Sequence, residues 1–150
     1  MRYRRLRVRP QRRASASRHN AVAQCGCGQP TTTGPFASVT PRIFVADVDR
    51  AVDFLRTVFD ATAQIEEGRP TNVHIGDSVV LLSSTDEREP FPAFLHIYVD
   101  NADAVCGKAS LAGATLIEAP LDTPYGDRRA MFQDPFGKVY QVAHRLELDR

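Results

Sequence analysis

The chain has 150 residues, of which 43% are hydrophobic and 25% charged, and its formal net charge is +1. This length and composition are typical of one globular domain, and they exclude fibrous and low-complexity proteins. The sequence contains no run of about 18 consecutive apolar residues, so we expect neither a membrane-spanning helix nor a membrane partner.

Charge is divided unevenly along the chain. Residues 1–36, here called the basic leader, contain eight Arg and no Asp or Glu, whereas the rest holds eleven basic and eighteen acidic side chains. The leader has no sustained helical or strand periodicity, and we expect it to be disordered because it offers little apolar surface to bury. It could be an arm that contacts nucleic acid non-specifically, a targeting peptide, or an upstream extension without function. We expect no other nucleic-acid contact.

The three cysteines give only a weak metal signal and no sign of disulfides. Cys25 and Cys27 lie in the leader without a second pair or a His at ligand spacing, and Cys106 is expected to be a small buried hydrophobe. Nothing in the sequence requires an oxidising compartment, and the leader lacks the apolar core of a secretory signal. We therefore expect a cytoplasmic protein.

Residues 37–147 are predicted to form the folded domain, and its first half begins with a strand over 39–45. Asp47 can then cap a helix over 48–59, where apolar residues recur at helical spacing. Three short strands are predicted next, the last two joined by a tight Gly76–Asp77 turn; they span 62–66, 72–75 and 78–83. A polar, Pro-containing linker over 85–92 ends this half.

The second half repeats the same order. A strand over 93–99 precedes a helix that Asp100 or Asn101 can cap and that Gly113 can end. Further strands are predicted over 115–119, 130–133 and 139–144, with a loop over 120–127 and a turn over 134–137. The β-α-β-β-β order returns after about 54 residues, which indicates an internal duplication. We therefore predict an α+β fold whose two modules form a cupped mixed sheet with helices on its outer face.

Ordered motifs in both halves resemble the vicinal oxygen chelate superfamily, which includes glyoxalases, bleomycin-resistance proteins and extradiol dioxygenases. The motifs are VADV at 45–48, AVDFL at 51–55, LHIYVD at 95–100, AGA at 112–114, YGDR at 125–128 and DPFG at 134–137. The set is similar to the PhnB-like branch and covers about residues 38–146. The resemblance implies a ligand in the cup of the sheet, and usually a homodimer.

In metal-dependent members of the superfamily, His, Glu or Gln ligands project into the cup. The resemblance places those positions at Thr40, Leu81, Phe94 and Gln141, of which only Gln141 is a credible ligand. Because three or four good ligands are normally needed, we expect no standard metal and no other cofactor. The alternative is a divalent metal at an atypical site that uses His96 and Gln141.

Strand alternation predicts what lines the cup instead. On the strand over 93–99, the rings at 94, 96 and 98 share one face, whereas the aliphatic residues at 95, 97 and 99 suit helix packing on the other. The cup is thus predicted to be largely apolar and aromatic, as small-molecule pockets usually are. The candidate ligand-binding residues are Arg42, Phe44, Leu81, Phe94, His96, Tyr98, Tyr125, Arg128 and Gln141.

Two of these residues have alternative roles. His96 is the candidate for catalytic proton transfer, or it hydrogen-bonds Tyr98 or Gln141 and only shapes the pocket. Arg128 could clamp a carboxylate or phosphate together with Arg42, or it could hold its loop by pairing with Asp127 or Asp134.

Two functions remain open, and the sequence does not decide whether the protein is an enzyme. The first is a metal-free protein that binds or sequesters a small, partly apolar or aromatic molecule. The second is a metal-dependent glyoxalase-like lyase, isomerase or dioxygenase with an atypical site.

Overall fold

Ten regular elements follow one another in two equivalent sets. The computed structural model describes residues 39–86 and 88–147, so the predictions for the basic leader lie outside the described residues. The first module contains β1 (Arg42–Val45), α1 (Val48–Phe59), β2 (Thr62–Gln64), β3 (Thr71–Ile75) and β4 (Ser78–Ser84). The second contains β5 (Phe94–Tyr98), α2 (Ala102–Leu111), β6 (Thr115–Asp122), β7 (Asp127–Gln133) and β8 (Val139–Arg145). The predicted α+β class and repeated order are confirmed.

Both helices begin at side-chain caps. The Asp47 carboxylate accepts a hydrogen bond from Arg50 N at 3.0 Å, and Asn101 Oδ1 accepts one from Ala104 N at 2.9 Å, so Asn101 rather than Asp100 caps α2. Just beyond α2, Gly113 adopts a φ of 93°, which a residue with a Cβ rarely does.

Among the described residues, no helix is long and apolar enough to cross a membrane.

The strands form two four-stranded mixed sheets. Sheet A has the order β1-β4-β3-β2 and sheet B the order β5-β8-β7-β6. In each sheet the first and last strands of the module pair in parallel, and the other pairs are antiparallel. Corresponding strands thus occupy equivalent places, as an internal duplication predicts, and β1 and β5 are edge strands of their sheets.

One apolar core lies beneath the helix-side faces of both sheets. It includes buried residues of both helices and of both sheets, among them Val52, Val73, Ala109 and Val142. The ring of Phe59, at the end of α1, lies 6.3 Å from that of Phe132 and 5.5 Å from that of Tyr140, measured between centroids. The first helix therefore packs against the second sheet, and each sheet keeps an opposite face, here called its open face.

The β6–β7 hairpin is longer than predicted, because the expected loop over 120–127 shrinks to a turn over 123–126. Pro120 lies within β6, where its missing N–H costs little because β6 is an edge strand of sheet B. The pairing register also shifts on both sides of Glu118, as in a β-bulge. As a result Arg128, expected to lie in a loop, lies inside a strand.

The predicted turn over 134–137 is confirmed. The buried carboxylate of Asp134 accepts hydrogen bonds from the backbone N of Phe136 at 2.9 Å and of Lys138 at 2.8 Å. This carboxylate is a structural turn element, as expected for an Asp at the start of a tight turn.

Candidate ligand-binding face

Three ring side chains stand in a row along β5. Phe94, His96 and Tyr98 alternate with Leu95 and Ile97, which pack against the core. On the open face Phe94 is 57% and Tyr98 56% exposed. The structure thus has the alternation expected from the sequence, with the rings on the face opposite the helices.

His96 is held by its neighbour on β8. The two strands pair in parallel with His96 directly opposite Gln141, and Nδ1 of His96 lies 2.8 Å from Oε1 of Gln141. The imidazole also meets the ring of Tyr98 edge-on, with centroids 5.0 Å apart. Of the two hydrogen bonds considered for His96, the one to Gln141 is present, whereas Tyr98 makes only a ring contact. Three of the candidate residues thus form one contiguous group.

Tyr98 is anchored by a carboxylate that the sequence did not single out. Its hydroxyl donates to Oδ2 of Asp127 at 3.0 Å, and Asp127 is only 3% exposed. This hydrogen bond raises the pKa of Tyr98, because ionising the phenol would break it beside a negative charge. Oδ1 of Asp127 lies 3.2 Å from Nη1 of Arg145, but without hydrogen-bond geometry, so this contact is a charge pair only.

A second ion pair lies on the same face. Arg129 binds Glu118 through two hydrogen bonds, with Nε 2.8 Å from Oε1 and Nη2 3.1 Å from Oε2. Nη1 of Arg129 also donates to the hydroxyl of Tyr125 at 3.0 Å, which connects this candidate residue to the face. The bond to Glu118 raises the pKa of Arg129. Neither Arg129 nor Glu118 was predicted as a site residue. Alternation along β7 places Arg129 on the face opposite Arg128, and this signal could have identified it.

Arg128 does not lie on the open face. Its guanidinium is directed to the helix side, where Nη2 donates to Oδ1 of Asp103 on α2 at 2.9 Å and Nη1 donates to Oδ1 of Asp122 at 2.7 Å. It therefore pairs with neither Asp127 nor Asp134, and it does not form a clamp with Arg42. The physical reason is that β7 begins at Asp127, so position 128 already alternates toward the helices.

The remaining candidates lie on sheet A. Arg42 donates from Nε and Nη2 to Oγ of Ser83 at 3.0 and 2.8 Å, and its guanidinium lies 5.1 Å from the Phe44 ring centroid. Leu81 stands opposite Arg42 in the β1–β4 register. Phe44 is only 8% exposed because Phe91 covers its ring. In the described part of the chain, these residues and His96 therefore belong to different sheets.

A cleft of about 1100 Å³ lies beside the free edge of β5. Its walls come from β5, the β3–β4 turn, the end of α1 and the first half of α2, and of the candidate residues only His96 and Tyr98 line it. His96 and Tyr98 therefore lie where the open face of sheet B meets the cleft.

The donor set does not fit a metal ion. Of the positions that the superfamily uses, Leu81 and Phe94 carry no donor atom, and Oε1 of Gln141 already contacts His96. Within residues 39–86 and 88–147, no group of three or more His, Cys, Asp or Glu could hold a metal. His144 is occupied on the helix side, where Nδ1 accepts from Ala102 N at 2.9 Å. One imidazole and one amide fall short of the usual three or four ligands.

Comparisons with known proteins agree with this architecture. Residues 36–142 match the profile of the glyoxalase/bleomycin resistance protein/dioxygenase superfamily. An uncharacterized protein of Mycobacterium bovis is 29% identical over 126 residues, covering 70% of this chain and 81% of that protein.

Two solved structures share the fold. TioX from Micromonospora sp. ML1 has a TM-score of 0.64 at 22% identity, covering 72% of this chain and 98% of that one. A glyoxalase/bleomycin resistance protein/dioxygenase family enzyme from Burkholderia phytofirmans has a TM-score of 0.63 at 24% identity, covering 71% and 97%. The two β-α-β-β-β modules and the profile match lead to one assignment: this chain belongs to the glyoxalase/bleomycin resistance protein/dioxygenase superfamily.

Proposed function

We propose that this protein binds a small, partly apolar or aromatic molecule on the open face of sheet B, without a metal ion, as a ligand-binding or drug-sequestering protein. The observation that carries the proposal is the row of Phe94, His96 and Tyr98 beside Gln141, with two of the three rings more than half exposed. Rings presented together on one sheet face favour contact with an apolar or aromatic partner.

The polar atoms among these rings can recognise a ligand. Because the amide oxygen of Gln141 only accepts, the Nδ1 of His96 donates to it, and in the neutral imidazole Nε2 is left as an acceptor. The amide nitrogen of Gln141 supplies a donor next to it. A ligand with both a donor and an acceptor would match this pair while its apolar part covers Phe94 and Tyr98.

The division of the candidate residues between two sheets supports the expected homodimer as part of the proposal. Arg42, Phe44 and Leu81 lie on sheet A, apart from His96 on sheet B. A second copy could place its sheet A opposite sheet B and so complete a cup. Light scattering of the purified protein tests this assembly, and a monomer at the concentration at which ligand binds would contradict it.

Binding is tested with an uncharged fluorescent probe, N-phenyl-1-naphthylamine. We expect Phe94→Ser to weaken its binding about tenfold, which corresponds to losing roughly one ring contact. Leu111→Ser, which changes a 93% exposed residue on α2, is the matched control and should leave binding unchanged. Equal effects of the two substitutions would contradict the site.

A second candidate is a metal-dependent lyase, isomerase or dioxygenase that uses His96 and Gln141. The 2.8 Å approach of these two side chains is the observation in its favour. Elemental analysis of protein purified without chelators separates the two candidates. We expect no stoichiometric metal, whereas bound metal that is lost in His96→Ala would overturn the first proposal.

We also propose membership of the PhnB-like branch and a cytoplasmic location. The ordered YGDR and DPFG motifs at 125–128 and 134–137 support the branch, and the sparse use of cysteine supports the compartment. Immunodetection of the native protein in separated cell fractions tests the location.

A further inference from the structure

Four charged side chains alternate onto the open face of sheet B, and they are already paired. Arg129 is bound by Glu118 through two hydrogen bonds, whereas Arg145, whose side chain is 71% exposed, lies against Asp127 without a hydrogen bond. The charges of these two cations and two carboxylates sum to zero. The row of rings on β5 therefore stands beside a neutral polar border.

An anionic ligand that approaches Arg129 would be at a disadvantage. To bind it, Arg129 would have to leave Glu118, which is only about a quarter exposed, and the freed carboxylate would then repel the ligand. An uncharged ligand leaves both pairs intact. The hydroxyl of Tyr98 offers an anion no donor either, because it is committed to Asp127.

From this arrangement we infer that the open face of sheet B selects an uncharged aromatic ligand over an anionic one of the same shape, with Glu118 as the residue that determines this specificity. The inference rests on the proposed function and narrows its ligand class. Glu118 acts by occupying Arg129, which would otherwise be the natural partner of a carboxylate, sulfonate or phosphate.

Adjacent arginines on β7 provide a matched control. Arg128 and Arg129 point to opposite faces of the sheet, and each is held by a carboxylate from another element, Asp103 for Arg128 and Glu118 for Arg129. Glu118→Gln and Asp103→Asn therefore make the same charge change beside neighbouring arginines. Only the first of them frees a cation on the open face.

The experiment compares two probes that differ by one sulfonate, N-phenyl-1-naphthylamine and 8-anilinonaphthalene-1-sulfonate. We expect the wild-type protein to bind the uncharged probe about tenfold more tightly, and Glu118→Gln to reduce this ratio to about one, mainly by tighter binding of the sulfonate. Asp103→Asn should leave the ratio as in the wild type. The double variant Glu118→Gln/Arg129→Gln, which removes both charges, should restore the preference for the uncharged probe.

The outcomes separate this inference from the proposed function. If Phe94→Ser weakens both probes but the wild type binds them equally, or prefers the sulfonate, the inference is overturned and the binding face stands. If neither probe depends on Phe94, the proposed function fails and the inference fails with it. Should Glu118→Gln not fold, as judged by circular dichroism, Arg129→Gln takes its place and should weaken the sulfonate further while sparing the uncharged probe.

Discussion

Nδ1 of His96 lies 2.8 Å from Oε1 of Gln141, and the two residues face each other across the parallel pair of β5 and β8. The backbone register, rather than a chance meeting of surface side chains, brings them together. One hydrogen bond thus holds the imidazole and the amide in a fixed relative orientation on the same open face.

A double-mutant cycle measures this pair. We expect the cycle of His96→Ala and Gln141→Ala to give a coupling of about 0.5–1 kcal/mol in the free energy of unfolding, as for one hydrogen bond between partly solvated groups. Urea denaturation of the four proteins provides the measurement. Strictly additive effects would mean that the two side chains do not interact in solution.

The ionisation of Tyr98 should depend on Asp127. Because the hydrogen bond to this carboxylate raises the pKa of Tyr98, Asp127→Asn should bring the pKa back toward its ordinary value of 10.0. The contribution of Tyr98 to stability is complete below about pH 10 and is lost as the pH rises through the raised pKa.

Ultraviolet titration of phenolate, taken as the difference between each protein and its Tyr98→Phe variant, isolates this group from the other tyrosines. An unchanged titration in Asp127→Asn would contradict the hydrogen bond.

Acid should weaken the link between α2 and β7. The hydrogen bond from Arg128 lowers the pKa of Asp103 below its ordinary 3.8, so this carboxylate stabilises the fold above that value and stops doing so as the pH falls through the lowered pKa. The difference in unfolding free energy between the wild type and Asp103→Asn should be constant above about pH 5 and shrink below about pH 4. Chemical denaturation across this range tests it, and a difference independent of pH would refute it.

Replacing Phe59 should lower the stability of the whole domain. Its ring joins α1 to the rings of Phe132 and Tyr140 in sheet B, so Phe59→Ala should cost about 2–3 kcal/mol of unfolding free energy. Leu111→Ala, at a position 93% exposed, should cost less than about 0.5 kcal/mol. The loss should appear in one cooperative transition, and two separate transitions would indicate that the modules unfold independently.

Periodicity and capping residues were sufficient to predict much of the fold. The apolar spacing after Asp47 gave the bounds of α1, and alternation along β5 put Phe94, His96 and Tyr98 on one face, because both signals are local. The β6–β7 hairpin was predicted too short, because Pro120 and Asp122 resemble loop residues. Their tolerance in a strand depends on β6 being an edge, which is a property of the sheet order and not of the segment.

The candidate site also depends on features of the sheet that local sequence signals do not show. Arg128 was expected near the ligand because the resemblance placed it in a loop, whereas β7 begins at Asp127 and turns the residue to the helix side. Glu118 and Arg129 were missed because their pairing depends on a cross-strand register with shifts on both sides of Glu118. No spacing along the chain encodes such a register.

The short turn over 123–126 also constrains how this chain can change. Successive residues of β7 face opposite sides, so inserting or deleting one residue in this turn could slip the strand by one position and exchange Arg128 with Arg129. Arg128, which binds Asp103 of α2, would then face the ligand, and Arg129 would lie against the helix. The length of this solvent-facing turn would thus set the charge that an incoming molecule encounters.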